Sequence, residues 1–367
     1  MIDARLKHQY DRACQHASYS ILRHPQLSMQ DQLHQLAESV RPTDERDVYG
    51  RGGLVEQFEQ QVATLLGKDA ALLLPTGTLA QPLALKLHAQ ATGKNTVALH
   101  PTSHLLLHEH MGIEALWQLN TVTVGNPRRV LTCDGLHQQN PAELAALLLE
   151  LPMREIGGDL PQWDELTAQT NWARSHGIRC HLDGARLWQA TTYYQRSLSQ
   201  ISALFDSVYV SFYKDLGGIS GAVLAADEEF IEDARIWARR AGGNPISLYP
   251  EVLAARKGLE QHLPVIDDAV TYAVRLGAMI NDIDGISVTP NPPKAAMFHL
   301  IFAAPPQRLA QTITDYTRET GVVVLPLPRS GDQQHSVCEI AIGRNAMSQP
   351  HDFWLRHVKA FMKALNR

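Results

Sequence analysis

Apolar residues fall into two kinds of run along this chain, short continuous blocks and longer stretches with helical spacing, and the two kinds alternate. Residues 70–74, 97–99, 178–182, 207–212 and 222–226 are short, apolar or β-branched, and bounded by turn formers, which predicts buried strands. Around them the spacing predicts helices. Leu54, Phe58, Val62 and Leu65 recur on one helical face, and Gly67 supplies the stop. Residues 79–91, 141–150, 161–175, 227–241, 248–262 and 265–283 read the same way. Past residue 283, strands at 286–289, 296–302, 322–325 and 337–342 alternate with helices at 307–320 and 351–365. The first 45 residues are polar and helical, with the clearest amphipathic stretch at 31–40. Such alternation predicts an α/β protein. A helical segment covers 1–45, a large mainly parallel-sheet domain 46–247, and a smaller C-terminal α/β domain 248–367.

Charged residues at the ends of two predicted strands carry the chemistry. His181-Leu182-Asp183-Gly184-Ala185-Arg186-Leu187-Trp188 and Ser211-Phe212-Tyr213-Lys214-Asp215-Leu216-Gly217-Gly218 each lead an apolar run into a charge, with glycine close behind. If the runs are parallel strands of one sheet, Asp183 and Lys214 emerge at neighbouring carboxyl ends, where open α/β sheets hold their ligands. A carboxylate and an amine at that edge suit pyridoxal 5'-phosphate. The lysine can form a Schiff base with its aldehyde, and the aspartate can keep its ring nitrogen protonated. Upstream, Thr76-Gly77-Thr78 joins a predicted strand to a predicted helix. Backbone N–H groups and hydroxyls in such a turn face an anion.

His181-Leu182-Asp183-Gly184-Ala185-Arg186-Leu187-Trp188 closely resembles the signature of threonine aldolases, within the aromatic amino acid β-eliminating lyase/threonine aldolase family of fold type I. Asp47-Val48-Tyr49-Gly50 and Pro75-Thr76-Gly77-Thr78 resemble two further family motifs, and the likeness runs over about residues 47–245. It implies the fold of pyridoxal-phosphate-dependent transferases. It also implies that His104 stacks on the cofactor ring and assists proton transfer, that Arg186 binds the substrate carboxylate, and that Tyr49 lies near the cofactor. Ser211 is the candidate phosphate ligand, although Phe212-Tyr213 separates it from Lys214 where the family has Ser next to Lys. Other departures concern substrate recognition. Residues 20–25 lack the family's Arg-Ser-Asp-Thr segment, Leu151 follows Glu150 where Asn is usual, and Glu339 falls where an arginine is expected. Arg344 is the nearest basic substitute. The implied reaction is retro-aldol cleavage of a β-hydroxy amino acid to glycine and an aldehyde, in a homodimer or homotetramer. β-Elimination is the alternative within the family, and an inert cofactor-binding protein on the same fold is the alternative outside it.

Composition narrows the remaining classes. A net charge of −5 with no dense basic run argues against a nucleic-acid binder. Apolar stretches break within about ten residues, short of a membrane span. Charges interrupt the first twenty residues, which argues against a secretory leader. Cys14, Cys133, Cys180 and Cys338 are widely spaced, suggesting neither a zinc site nor a disulfide framework, and no other metal site is expected. A cytoplasmic location is expected.

Overall fold

Seven of the apolar runs come together in one sheet. In the computed structural model, which describes residues 2–25 and 27–367, they are β1 (Ala70–Leu74), β2 (Thr96–Leu99), β3 (Asn120–Thr123), β4 (Leu144–Glu150), β5 (Arg179–Gly184), β6 (Ser207–Ser211) and β7 (Ala222–Ala226). Their spatial order is β1-β7-β6-β5-β4-β2-β3. Strand β7 runs antiparallel to β1 and β6, and the other pairs are parallel. Every residue of β6 and β7 is buried, as expected of central strands in a sheet covered on both faces.

Strand β4 corrects an expectation. Residues 141–150 read as a helix because Ala, Leu and Glu are strong helix formers. Instead Leu144–Glu150 lies between β2 and β5, with Leu144 to Leu149 all buried. Burial on both faces outweighs the local propensity. The short strand β3 at the sheet's edge lacks an apolar block and was not foreseen. Of the strand expected at 322–325, only Val322–Val323 pairs, parallel to Tyr19–Ser20.

Helix Gly77–Thr92 positions the chemistry, because two polar ties lock it to the sheet. Gln81 donates from Nε2 to Asp183 Oδ2 at 3.0 Å. Two turns later, His88 Nε2 lies 2.7 Å from Ser207 Oγ, and His181 Nδ1 reaches the same hydroxyl at 2.7 Å. Helix Tyr249–Gln261 is fixed by a different device. Asp47 is buried and accepts from the Ser247 hydroxyl and from the N–H groups of Leu248 and Tyr249, closing that helix's N-terminus.

The chain divides into two units. The large unit comprises Leu27–Glu155 and Leu160–Pro264 and holds the seven-stranded sheet. Helix Met29–Glu38 and helix Tyr249–Gln261 belong to it. The small unit combines the residues before Leu27 with Ile156–Asp159 and Val265–Arg367. Its sheet contains β8 (Ile286–Thr289), β9 (Met297–Phe302), β10 (Ser330–Gly331) and β11 (Ser336–Ala341), in the antiparallel order β10-β11-β9-β8. Burial alternates strictly along β11, so one of its faces packs inward. No helix among the described residues is long and apolar enough to cross a membrane.

Candidate active site

Register delivers the charges to one edge. Asp183 on β5 is the pairing partner of Glu150 on β4 and of Tyr209 on β6. Past these strand ends the chain turns, and Asp183, Arg186, Lys214 and His104 line one cavity with Glu150, Thr102, His108, Arg154 and Glu155. Four of the residues singled out from the sequence, Asp183, Arg186, Lys214 and His104, thus line one cavity.

Asp183 is 2% exposed. Its Oδ1 accepts from the Ala185 N–H at 3.1 Å and its Oδ2 from Gln81, so both oxygens are oriented. Burial pushes the Lys214 amine below its ordinary value and Arg186 adds to the effect, while Asp183, Glu150 and Asp215 oppose it. Less proton affinity makes the amine a better nucleophile near neutral pH. Arg186 is 9% exposed, and its Nε lies 4.0 Å from Asp215 Oδ1. A buried guanidinium beside a cavity suits a carboxylate ligand. Across the cavity, His104 Nδ1 is 3.0 Å from Glu109 Oε1, which fixes the ring and frees Nε2 for other work. The His104 and His108 rings lie 5.1 Å apart, and His108 Nε2 is 3.1 Å from Glu155 Oε1.

Thr76, Gly77 and Thr78 form the N-terminus of the helix that carries Gln81. Thr76 caps it, its Oγ1 accepting from the Leu79 N–H at 3.2 Å. Both threonines are exposed, at a helix start whose first N–H groups have no intrahelical acceptor. Gly77 is required by packing: a Cβ there would meet the Tyr209 hydroxyl at 2.1 Å.

Thr76, Gly77 and Thr78 are not among the residues that line the cavity, and three further candidates stand outside it too. Ser211 is fully buried and donates its hydroxyl to Ala185 O at 2.9 Å, and it does not line the cavity. Tyr49 adopts a positive φ of 52°, is half exposed, and has the Arg239 guanidinium 5.2 Å from its ring centroid, away from the lining residues. Arg344 begins a short helix of the small unit and is exposed. Glu339, expected near a carboxylate anchor, instead pairs with Arg329 at 2.9 Å, and Arg329 also reaches His299. Sequence reasoning did not single out Gln81, Thr102, Arg154 or Glu155, and it gave Asp215 no role although that residue follows Lys214 in the motif. Gln81 meets Asp183 across 102 residues of chain.

Fold and site together define an open α/β protein with an amine and a buried carboxylate at the carboxyl edge of its parallel strands. Residues 36–303 match the family model of the beta-eliminating lyases, and the chain belongs to that family. Among solved structures, it is similar to a Listeria monocytogenes EGD-E protein named as an L-allo-threonine aldolase. The two share 34% identity and a TM-score of 0.90 over 97% of this chain and 99% of the other. Low-specificity L-threonine aldolase 1 of Arabidopsis thaliana is 24% identical over 78% of this chain and 85% of its own length. Aldolase vrtJ of Penicillium aethiopicum is 34% identical over 54% of this chain, a match that spans about half of that relative (52%).

Proposed function

We propose that this protein cleaves β-hydroxy amino acids of the threonine or allo-threonine type to glycine and an aldehyde, using pyridoxal 5'-phosphate. The observation that carries the reading is the convergence of Lys214, Asp183, Arg186 and His104 on one cavity. Relatives named as threonine aldolases support it.

The donor set fits the cofactor. An anion can rest on the open N-terminus of helix Gly77–Thr92, between the exposed hydroxyls of Thr76 and Thr78. Asp183 can hold a protonated ring nitrogen, Lys214 can bond the aldehyde, and the His104 ring can cover one ring face. Gln81 Oε1 is buried without a hydrogen-bond partner next to Asp183, as expected where a polar group is still to be received. When bound, the cofactor supplies an electron sink for the bond broken at Cα. The protein's own residues do the rest. Arg186 would grip the substrate carboxylate and so fix how the substrate's Cα is oriented in the cavity. His104, oriented by Glu109, takes the proton of the β-hydroxyl, directly or through one water. Asp183, whose two oxygens are oriented by Gln81 and by the Ala185 N–H, would be the residue to hold a protonated ring nitrogen.

Val48, Tyr49, Ile236 and Ile246 stand exposed on the large unit, which supports a homo-oligomer. Four free cysteines suit a reducing compartment such as the cytoplasm. The test of the activity is paired. Threonine, allo-threonine and phenylserine should release glycine and the matching aldehyde, and serine or cysteine derivatives should give little pyruvate and ammonia. Pyruvate without aldehyde would overturn this reading in favour of β-elimination.

A further inference from the structure

Two carboxyl groups end neighbouring parallel strands at the cavity. Glu150 on β4 and Asp183 on β5 are register partners, and both line the cavity with Arg186 and Lys214. Only one of the pair is needed to hold a ring nitrogen. Two ionised carboxylates side by side in a poorly hydrated site repel each other, so one gives up its charge. Their surroundings decide which. Asp183 accepts two hydrogen bonds, one on each oxygen. Glu150 accepts one, from the Arg154 N–H to Oε1 at 3.0 Å, and its other oxygen has no hydrogen-bond partner among the described residues.

We propose that Glu150 is a positioning residue of the cavity: a neutral carboxylic acid that donates a hydrogen bond inward and keeps the end of β4 uncharged when a substrate carboxylate enters. This rests on the amino-acid reading above. Burial, then the charge of Asp183, pushes the Glu150 carboxyl up to about 8, against the Arg154 N–H, Arg186 and Lys214. Other titratable groups face it too. His104, His108 and Glu155 line the same cavity, and His100 lines a second pocket that Glu150 borders. His100 is itself pushed down by burial, so it offers Glu150 little positive charge at neutral pH. A neutral acid at this point has a consequence that an ordinary buried carboxylate lacks. Above pH 8 it ionises, and the cavity then repels the carboxylate that Arg186 is placed to receive.

The experiment is infrared difference spectroscopy of the cofactor-loaded protein between pH 6.5 and pH 9.5, on wild type and Glu150→Gln. Wild type should lose one protonated-carboxyl band with a midpoint near 8, and the variant should show no such loss. A band unchanged by the substitution, or no titrating carboxylic acid in wild type, overturns the proposal. Should Glu150→Gln fail to fold, Asp183→Asn decides, since removing the neighbouring charge must lower the midpoint; an unmoved midpoint overturns the pairing. Calorimetry with acetate, a probe with no amine, reads the consequence. Affinity should fall about tenfold from pH 7 to pH 9 in wild type and stay level in Glu150→Gln, and an equal fall in both contradicts the assignment. Loss of aldolase activity with these results intact would remove only the substrate reading.

Discussion

Gln81 and His88 lie two turns apart on one face of the same helix, and both reach down to the sheet, yet they do opposite things. His88 meets a neutral arrangement in which the Ser207 hydroxyl sits between two imidazoles at 2.7 Å each. Burial pushes both His88 and His181 down to about 3, so neither carries charge at neutral pH. Gln81 meets a charge. Its amide holds Asp183 at the strand end, and its own carbonyl oxygen stays buried without a partner. Beneath the middle of the helix, uncharged polar groups share the Ser207 hydroxyl and bind helix to sheet, with His181 Nε2 left buried and without a partner. At the carboxyl edge the chain leaves charge and hydrogen-bonding capacity open, and that is where a ligand can repay the cost of burying them. The comparison predicts that substitutions at the edge change chemistry and substitutions in the middle change stability.

Asp183→Asn breaks the edge most severely. The aromatic nitrogen loses its counter-charge, so turnover should drop by orders of magnitude while the folded protein still binds cofactor, as absorbance titration would show. Near-wild-type turnover would remove Asp183 from its role. Arg186→Lys should be milder. Paired donors become a point charge, and KM should rise by roughly ten- to a hundredfold with a smaller change in kcat, read from steady-state kinetics. In the middle, Ser207→Ala strands two buried imidazoles and should cost about 1–3 kcal/mol in denaturant melts. Turnover should stay within a few-fold of wild type.

The histidine pair also gives the fold a pH dependence, small near neutral pH and growing as pH falls. Their folded values lie below the unfolded value of about 6.5, so the unfolded chain binds more protons once pH drops through that point. Stability is therefore full above about 6.5 and is lost progressively as pH falls toward 3, by up to about 1.4 kcal/mol per pH unit for each ring. His88→Gln should flatten that slope in pH-dependent melts. An unchanged slope would show that the pair is not what makes the fold acid-sensitive.

Local signals made much of this molecule legible. Ala70–Leu74 and Ala222–Ala226 were bounded correctly because continuous apolar runs between turn formers describe central strands well. Gly67 was foreseen as a stop and closes helix Gly53–Leu66 with a φ of 64°. Asp183, Lys214, Arg186 and His104 could be placed together because strand ends and motifs mark them. What stayed hidden depends on distant partners. Residues 144–150 are helix formers whose strand state comes from β2 and β5 on either side. The role of Asp47 is written some 200 residues away, in the helix it caps. Ser211 stood in the expected motif, yet its hydroxyl is taken by Ala185 O, a contact that no spacing rule reveals.

Which lysine holds the cofactor decides whether this edge is the active site. Lys68 is the rival inside the protein: burial pushes its amine down as well, but it donates to Phe205 O rather than lining the cavity. Borohydride reduction of the cofactor-loaded protein, followed by peptide mass mapping, separates the two. Pyridoxyl mass on the peptide that carries Lys214, and on no other, is the predicted result. The label on Lys68 or another lysine, or no label at all, would contradict the assignment of this edge as the active site.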